Sequence, residues 1–262
     1  MTTRSIAFIN EKGGTCKTTL AVNTAAYFAT KKEARVLLVD LDTQGHAGKS
    51  LGLDVRASAP NVFHWLTRDD VAFSQVARPT SIPGLTVIPS YKEMADFPLV
   101  MAGAADKEHR LHKRLALLRE FDVVIFDAPP SLGLSTTNIL VAATEVVIPV
   151  AVTYLSLDGC AEMVETLDQV GRDVRHSELP ILRVVATLYR KTALADEIME
   201  RLRHHFPSTL SPHSLPMNVA IDEAQSHGKT IWEHAPWSRG ATLLQDIAED
   251  LWTARPAHSK AA

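Results

Sequence analysis

The chain has 262 residues, of which 46% are hydrophobic, and a formal net charge of −3. Its length and apolar content are sufficient for a large buried core, and its small net charge gives no bulk attraction to nucleic acid or to an anionic membrane. Two cysteines, Cys16 and Cys160, are too few for a disulfide framework, and without a secretory signal or an apolar run of roughly 20 residues we expect a cytoplasmic protein that does not span a membrane.

Apolar, β-branched runs alternate with longer helical patterns along the chain. The predicted strands are 5–10, 35–40, 86–89, 122–127, 146–150 and 181–187, and the predicted helices are 17–30, 107–120 and 158–173. This alternation is typical of an α/β, doubly wound fold with a mostly parallel sheet and helices on both faces, whose ligands bind at the carboxyl ends of the strands. The less regular segment 56–106 is interpreted as insertions at the sheet edge. We therefore expect one domain over 1–262, with a frayed tail at 253–262.

The first predicted strand leads directly into a turn that opens a helix. Residues 12–19 of this turn read Lys-Gly-Gly-Thr-Cys-Lys-Thr-Thr. A strand, a glycine-containing turn and a helix in this order aim several backbone N–H groups and the positive end of the helix dipole at one point, where phosphate can bind. Lys17 is then expected to reach the outer phosphates of a nucleotide, and the Thr18 hydroxyl to ligate magnesium. A chance Lys/Gly turn is the alternative, and the flanking strand and helix argue against it.

The loop departs from the usual pattern G-x-x-x-x-G-K-[ST] at both glycine positions, which Glu11 and Cys16 occupy. It fits a variant, K-G-G-x-x-K-[ST], in which Lys12 precedes the two glycines. On these residues the chain resembles the ParA/MinD group of P-loop NTPases, which carry a deviant Walker A motif. The resemblance implies that Lys12 reaches across a dimer interface to the partner's nucleotide, so that ATP with Mg²⁺ holds two subunits together. The implied nucleotide-binding residues are Lys12, Gly13, Gly14, Thr15, Cys16, Lys17, Thr18 and Thr19.

Aspartates follow two of the predicted strands. Asp40 and Asp42 lie in Val-Asp-Leu-Asp-Thr-Gln, which resembles the family's D-x-D-P-Q segment with Thr43 in place of proline. Asp127 ends Val-Val-Ile-Phe-Asp, which has the form of a Walker B strand, and the following Ala-Pro-Pro-Ser-Leu-Gly resembles the family's P-P-S-L-G segment. The resemblance implies that Asp42, with Lys12 and Lys17, is catalytic and orients the attacking water, and that Asp40 and Asp127 join Thr18 around magnesium. A carboxylate that only caps the next element is the alternative for each aspartate.

Family-like motifs continue to the C-terminal part of the chain. The segment Pro216-Met217-Asn218-Val219 resembles P-x-N-V, which implies that Pro216 and Asn218 lie against the adenine. Relatives that bind the nucleoid often carry P-R-N-V-R here, so Met217 and Ala220 replace two expected arginine contacts with DNA. Other basic residues are candidates to substitute for them: Arg190, Lys191, Arg201, Arg203 and Lys229.

Two further features have competing interpretations. The predicted helix 107–120 carries Lys107, Arg110, Lys113, Arg114 and Arg119 opposite a leucine stripe, and an ordinary solvated face is favoured over a DNA contact. Cys16 places a Cβ where glycine usually allows close approach to phosphate, so the loop geometry there must be one that an L-residue can adopt. Its position at a helix N-terminus beside Lys17 predicts a lowered thiol pKa, and an inert small residue shielded by bound nucleotide is favoured over a reactive thiol.

Three classes of function are compatible with these motifs. The leading one is a cytoplasmic, nucleoid-associated ATPase that forms an ATP-dependent homodimer and binds DNA non-specifically. A ParB-like or cargo-adaptor protein is expected to switch it off by stimulating hydrolysis. Such an ATPase serves DNA segregation or the positioning of a cellular cargo. A MinD-like membrane-cycling ATPase needs a C-terminal amphipathic helix, which Pro256 interrupts. The third is an ATP-dependent metabolic enzyme on the same scaffold; an iron–sulfur reductase needs paired interface cysteines, which Cys16 and Cys160 do not supply.

Overall fold

A computed structural model describes residues 3–153 and 156–254, without the side chains of 156–161. Within these ranges eight strands form one sheet, in the order β3-β4-β2-β5-β1-β6-β7-β8. The strands are β1 (Arg4–Phe8), β2 (Val36–Asp40), β3 (Arg78–Pro79), β4 (Leu85–Ile88), β5 (Val123–Asp127), β6 (Glu145–Ala151), β7 (Ile181–Tyr189) and β8 (Leu215–Pro216). All neighbours pair in parallel except β3, which runs antiparallel to β4 at the edge formed by the segment predicted to hold insertions. The mostly parallel, doubly wound sheet is confirmed.

Helices connect the strands and cover both faces of the sheet. In the described ranges the α-helices are α1 (Lys17–Lys31), α2 (His46–Ser50), α3 (Val62–Thr67), α4 (Phe73–Val76), α5 (Phe97–Val100), α6 (Arg110–Leu115), α7 (Leu134–Ala142), α8 (Ser156–Val170), α9 (Ala193–His205), α10 (Val219–Ser226), α11 (Ile231–His234) and α12 (Arg239–Thr253). Short 3₁₀ turns occur at Val55–Ala57, Lys92–Asp96 and Lys107–His109, and a π-helical turn at Gly171–Arg175 follows α8. None of the helices in this part of the chain is long and apolar enough to cross a membrane.

The central strands are buried on both faces because their side chains alternate between two cores. Val124 and Phe126 of β5 pack into the core beneath α3, α7 and α9, while Val123 and Ile125 pack into the core beneath α1, α10 and α12. Successive side chains of a strand point to opposite faces, so a strand covered on both sides needs an unbroken apolar run. This run ends at Asp127, which places the first polar side chain at the carboxyl end of the strand.

The C-terminal helix α12 closes one face of the sheet beside α1. The ring of Trp252 meets Phe28 edge-on at 4.9 Å, and Arg4, which pairs with Glu145, donates to the carbonyl of Leu251 at 2.8 Å. Thr253, the first residue of the predicted tail, is the last residue of α12. Residues 255–262 of that tail lie outside the described ranges.

The predicted helix 107–120 is wrong in extent, because α6 covers only Arg110–Leu115 after the 3₁₀ turn. Its proposed open, charged face is also wrong for two of the five basic residues. Arg110 lies 2.6 Å from Asp69, and Arg114 donates to the carbonyl of Arg68, so their side chains are only 13% and 14% exposed. The 68–70 segment folds against them, which periodicity within the helix alone does not reveal.

Candidate nucleotide-binding site

Three strand ends bring the sequence-predicted aspartates to one edge of the sheet. In the central pairing, Asp127 of β5 is in register with Asp40 of β2 on one side and with Phe8 of β1 on the other. The phosphate loop predicted at 12–19 starts four residues after Phe8 and continues into α1. The loop and both carboxylates therefore share the carboxyl edge, where parallel sheets bind ligands.

The loop backbone presents free donors to an open cleft of about 600 Å³. Among the described residues, the N–H groups of Gly13, Gly14, Thr15 and Cys16 have no hydrogen-bond acceptor. A Cβ built on Gly13 or Gly14 would meet no atom within 4 Å, and Gly14 has a φ of 73°. Consecutive free N–H groups beside an empty space form the cradle that phosphate oxygens need. The cleft is lined by Gly13, Gly14, Thr15, Cys16, Lys17, Thr18, Thr19, Asp42, Gln44, His46, Lys49, Ser50, Pro130, Gln225 and Ser226.

The start of the loop is fixed by Asn10, which the sequence analysis did not single out. The Asn10 side chain is buried, accepts from the N–H of Lys12 at 2.9 Å and donates to the carbonyl of Pro149 at 2.7 Å. It thereby ties the loop to β6. Its sequence signal is weak: a single amide at the end of an apolar run.

Lys17 lies inside the cleft rather than in solvent. Its ammonium donates to the carbonyl of Lys12 at 3.0 Å, which folds the side chain back along the loop. Burial lowers the pKa of Lys17, against the raising effects of the nearby Asp127 and Asp42 carboxylates. A buried ammonium that has only a carbonyl for a partner gains electrostatic stabilisation when phosphate oxygens arrive.

Thr18 and Asp127 form the part of the site that fits a magnesium ion. The Thr18 hydroxyl donates to Asp127 Oδ2 at 2.7 Å, whereas Asp127 Oδ1 is buried without a hydrogen-bond partner. Burial raises the pKa of Asp127 to about 7. Hydroxyl and carboxylate oxygens are the ligands that Mg²⁺ prefers, and an orphaned buried oxygen is the expected state of such a ligand in a chain without its metal.

The two remaining aspartates differ in how they are held. Asp40 is fully buried, and its oxygens accept from the N–H groups of Asp42 at 2.9 Å and Ala47 at 3.1 Å. Burial, together with the Asp127 carboxylate, raises the pKa of Asp40 well above its ordinary range. Asp42 lines the cleft, and its Oδ1 accepts from the N–H of Gln44 at 3.0 Å. Asp40 thus shapes the turn that presents Asp42 to the cleft.

The lowered thiol pKa predicted for Cys16 is wrong. Burial raises the pKa of its thiol to about 11, and the opposing effect of Lys17 is smaller. The helix N-terminus therefore does not produce a reactive thiolate here. The residue adopts φ 64° and ψ 26°, a left-handed conformation that L-residues can adopt but disfavour.

The proposed adenine residues, Pro216 and Asn218, do not line the cleft. Asn218 precedes α10, and its carbonyl accepts from the N–H of Ile221 at 3.2 Å. From the other end of α10, Gln225 donates to the Thr19 hydroxyl at 2.7 Å. Gln225 is not recognisable from the sequence, because no local pattern connects residue 225 with residue 19. The adenine contacts of Pro216 and Asn218 stay predictions.

The candidate DNA residues fall into two groups. Arg201 and Arg203 on α9 pair with Glu197 at 2.6 Å and with Glu200 at 3.1 Å, which neutralises much of their charge. Lys191 and Lys229 are exposed, and the Arg190 guanidinium lies 2.7 Å from the sulfur of Met217. Arg190 therefore approaches Met217, one of the two residues that stand in place of an expected arginine contact with DNA.

Comparisons with known proteins agree with this geometry. A family model described as an AAA domain matches residues 3–181. The chromosome-partitioning ATPase Soj of Thermus thermophilus is 40% identical over 250 residues, which cover 95% of this chain and 95% of that protein. The sporulation initiation inhibitor protein Soj of Bacillus subtilis is 35% identical over 248 residues, 94% of this chain and 97% of that protein. The chain belongs to the ParA/Soj family.

A solved structure similar to this ParA/Soj-family chain is cobyrinic acid a,c-diamide synthase from Mycobacterium smegmatis with a bound ATP analogue and magnesium. It has a TM-score of 0.81 and 30% identity, and the match covers 95% of this chain and 93% of that one.

Proposed function

We propose that this ParA/Soj-family chain is an ATPase that cycles between a monomer and an ATP-bound dimer and binds DNA non-specifically as the dimer. A ParB-like or cargo-adaptor protein would end the cycle by stimulating hydrolysis. The observation that carries the proposal is the convergence of four unpaired N–H groups and the buried Lys17 ammonium on one cleft. Thr18, which lines the same cleft, contacts the Asp127 carboxylate, whose other oxygen is unpartnered. These are the donors and the acceptor that Mg·ATP requires.

Each residue of the loop has a role that its chemistry supports. The N–H groups of Gly13 to Cys16 and the Lys17 ammonium would bind phosphate oxygens, while the Thr18 hydroxyl and Asp127 Oδ1 would hold magnesium. Magnesium, when bound, withdraws negative charge from the phosphate oxygens around the bond that breaks. To bind phosphate, Lys17 has to release the carbonyl of Lys12, and Thr18 has to turn its hydroxyl hydrogen away from Asp127.

Asp42 is proposed to orient the attacking water. Its carboxylate lies at the cleft, and its Oδ1 is already fixed by the N–H of Gln44. A carboxylate held in this way can accept a hydrogen bond from water without first losing its own conformational freedom. Replacing it should slow hydrolysis and leave nucleotide binding intact.

Lys12 is proposed to act on the partner's nucleotide. It lies at the entrance of the loop and is only half-buried, and among the described residues no carboxylate lies within ion-pair distance of its ammonium. An ammonium with no carboxylate partner in the described part of its own subunit is available to a phosphate that a second subunit brings. Triphosphate would in this way join two copies of the chain.

Arg190, Lys191 and Lys229 are the residues best placed for non-specific DNA contacts. Arg201 and Arg203 can add to them once their exposed and therefore weak ion pairs with glutamates open. Dimerisation would double the number of such contacts, which explains how ATP could control DNA affinity. The cargo would be a plasmid, a chromosome or a protein assembly carried over the nucleoid.

Retention on duplex DNA of arbitrary sequence tests this function. Asp42→Ala should bind DNA with ATP but not with ADP, and the affinity should fall as salt rises because phosphate contacts release counterions. Lys17→Ala is the matched control and should not bind DNA under either condition. Binding that does not depend on ATP, or no binding at all, would contradict the proposal.

A second candidate function is ATP-dependent synthesis on the same scaffold. The observation that favours it is the 30% identity with a protein named cobyrinic acid a,c-diamide synthase. Such an enzyme would release phosphate only with a small-molecule substrate, whereas the partition ATPase should respond to DNA and a protein partner. The MinD-like alternative depends on a C-terminal helix in a segment that includes 255–262, outside the described residues; liposome co-sedimentation with ATP tests it.

A further inference from the structure

A threonine of β7, outside every motif of the nucleotide site, contacts the backbone of the phosphate loop. Thr187 is fully buried, and its hydroxyl donates to the carbonyl of Thr15 at 3.1 Å.

The direction of the Thr15 carbonyl determines what the cleft presents to a ligand. In a trans peptide the C=O and the following N–H point in opposite directions. Thr187 holds the Thr15 carbonyl on the β7 side, which directs the N–H of Cys16 away from β7. Without this bond, rotation of the peptide would expose the carbonyl dipole to phosphate and remove one donor from the cradle.

Backbone conformations on both sides of this contact are unusual. Cys16 has φ 64° and Leu188, the residue after Thr187, has φ 55°. The pairing of β7 with β8 shifts register between Thr187 and Tyr189. Left-handed conformations of non-glycine residues persist only where their surroundings fix them, and they concentrate at functional sites. Both outliers lie next to the single hydroxyl that joins the two segments.

We propose that Thr187 is a positioning residue for nucleotide binding, which sets the Thr15–Cys16 peptide so that its N–H faces the phosphates before the nucleotide arrives. This inference rests on the proposed binding of Mg·ATP at the loop. It assigns a role in that site to a residue that does not itself touch the nucleotide.

The test is the isosteric variant Thr187→Val, compared with Thr187→Ser and with Thr144→Val. Thr144 is the matched control because its hydroxyl also donates to a backbone carbonyl, that of Ser5 at 3.0 Å, at the opposite edge of the sheet. Affinities are measured by titration with a fluorescent ATP analogue and magnesium, and by its displacement with inorganic tripolyphosphate. Thr187→Val should bind both ligands about tenfold more weakly, as expected for the loss of about 1.4 kcal/mol from one hydrogen bond. The affinities of Thr187→Ser and Thr144→Val should stay within about twofold of the wild type.

The tripolyphosphate measurement separates positioning from a general loss of structure. An equal loss for ATP and tripolyphosphate, at an unchanged melting temperature, places the defect in the phosphate cradle. KM for ATP should rise by the same factor, with a smaller change in kcat. If the valine variant does not fold, Thr187→Ala removes the hydroxyl without adding a methyl group and takes its place.

The outcomes distinguish this inference from the proposed function. If the wild type binds Mg·ATP and the valine or alanine variant binds it equally well, Thr187 has no positioning role, and the ATPase proposal stands. If Thr187→Ser loses as much affinity as Thr187→Val, the hydroxyl is not the cause and the inference fails. If the wild type binds neither ATP nor tripolyphosphate, both proposals fail together.

Discussion

Asp127→Asn should abolish a pH dependence in the stability of the nucleotide-free protein. Asp127 is fully buried, and burial raises its pKa from the ordinary 3.8 to about 7. A carboxyl group with a raised pKa contributes stability that is complete below its unfolded pKa and is lost as the pH rises through the folded pKa. The wild type should therefore lose stability as the pH rises from about 4 to about 8, whereas an asparagine at this position cannot ionise.

The size of the effect follows from the two pKa values. A group that titrates at about 7 in the folded chain and at about 3.9 in the unfolded chain loses about 1.4 kcal/mol of stabilisation between about pH 6 and about pH 8.5. In a chain of this length that loss lowers the melting temperature by roughly 3–5 °C. Asp40, whose pKa burial also raises, adds to the dependence in the same direction.

Urea unfolding without nucleotide and with a chelator, at several pH values, measures this difference. The matched control is Asp122→Asn, because Asp122 lies just before the amino end of the same strand, β5. Hydrogen bonds with Arg35 lower the pKa of Asp122 to about 2, which is below the pH range of the experiment. The free energy of unfolding of Asp122→Asn should fall with pH as steeply as that of the wild type. Between about pH 6 and about pH 8.5, that of Asp127→Asn should fall by about 1.4 kcal/mol less. If the free energy of unfolding falls equally steeply with pH in the wild type and in Asp127→Asn, the electrostatic account of the site is refuted.

Three further predictions concern the loop and a close backbone contact. Lys17→Ala should abolish ATP binding in calorimetry, since it removes the buried ammonium of the cleft; an unchanged Kd would contradict this role. Iodoacetamide should alkylate Cys16 about 100-fold more slowly near pH 8 than an ordinary cysteine, because its pKa is raised from 9.0 to about 11; mass spectrometry that finds an ordinary rate would disprove the buried thiol. Gly228→Ala should lower stability by about 2 kcal/mol or more, because φ is 63° and the new Cβ would lie 2.7 Å from Gly52 Cα. Gly103→Ala, which meets nothing within 4 Å, is its control in thermal melting, and equal melting temperatures would count against the clash.

The strands that carry the site were predictable because burial on both faces leaves a continuous apolar record in the sequence. Positions 35–40 and 122–127 end in aspartates, and the parallel register of β2 with β5 then places Asp40 opposite Asp127. The phosphate loop was predictable for a similar reason: its donors are backbone groups of consecutive residues. Local sequence specifies such features almost completely.

Contacts between distant segments were not predictable from the same patterns. Asn10 reaches Pro149, Gln225 reaches Thr19 and Thr187 reaches Thr15 across more than 130 residues in each case. The thiol pKa of Cys16 was predicted in the wrong direction because the helix N-terminus and Lys17 are visible in the sequence, whereas the burial that outweighs them is not. Likewise, the 68–70 segment that covers Arg110 is distant from α6 in sequence.

The most direct test of the ATP-dependent dimer is the mass in solution of Asp42→Ala, by analytical ultracentrifugation with and without Mg·ATP. One chain has a mass of 28.7 kDa. We expect Asp42→Ala to sediment as a single chain without nucleotide and at about twice that mass with Mg·ATP. The double variant Lys12→Ala with Asp42→Ala should bind ATP and still sediment as a single chain. A single chain at saturating Mg·ATP, or a dimer that forms equally well without the Lys12 ammonium, would contradict the account.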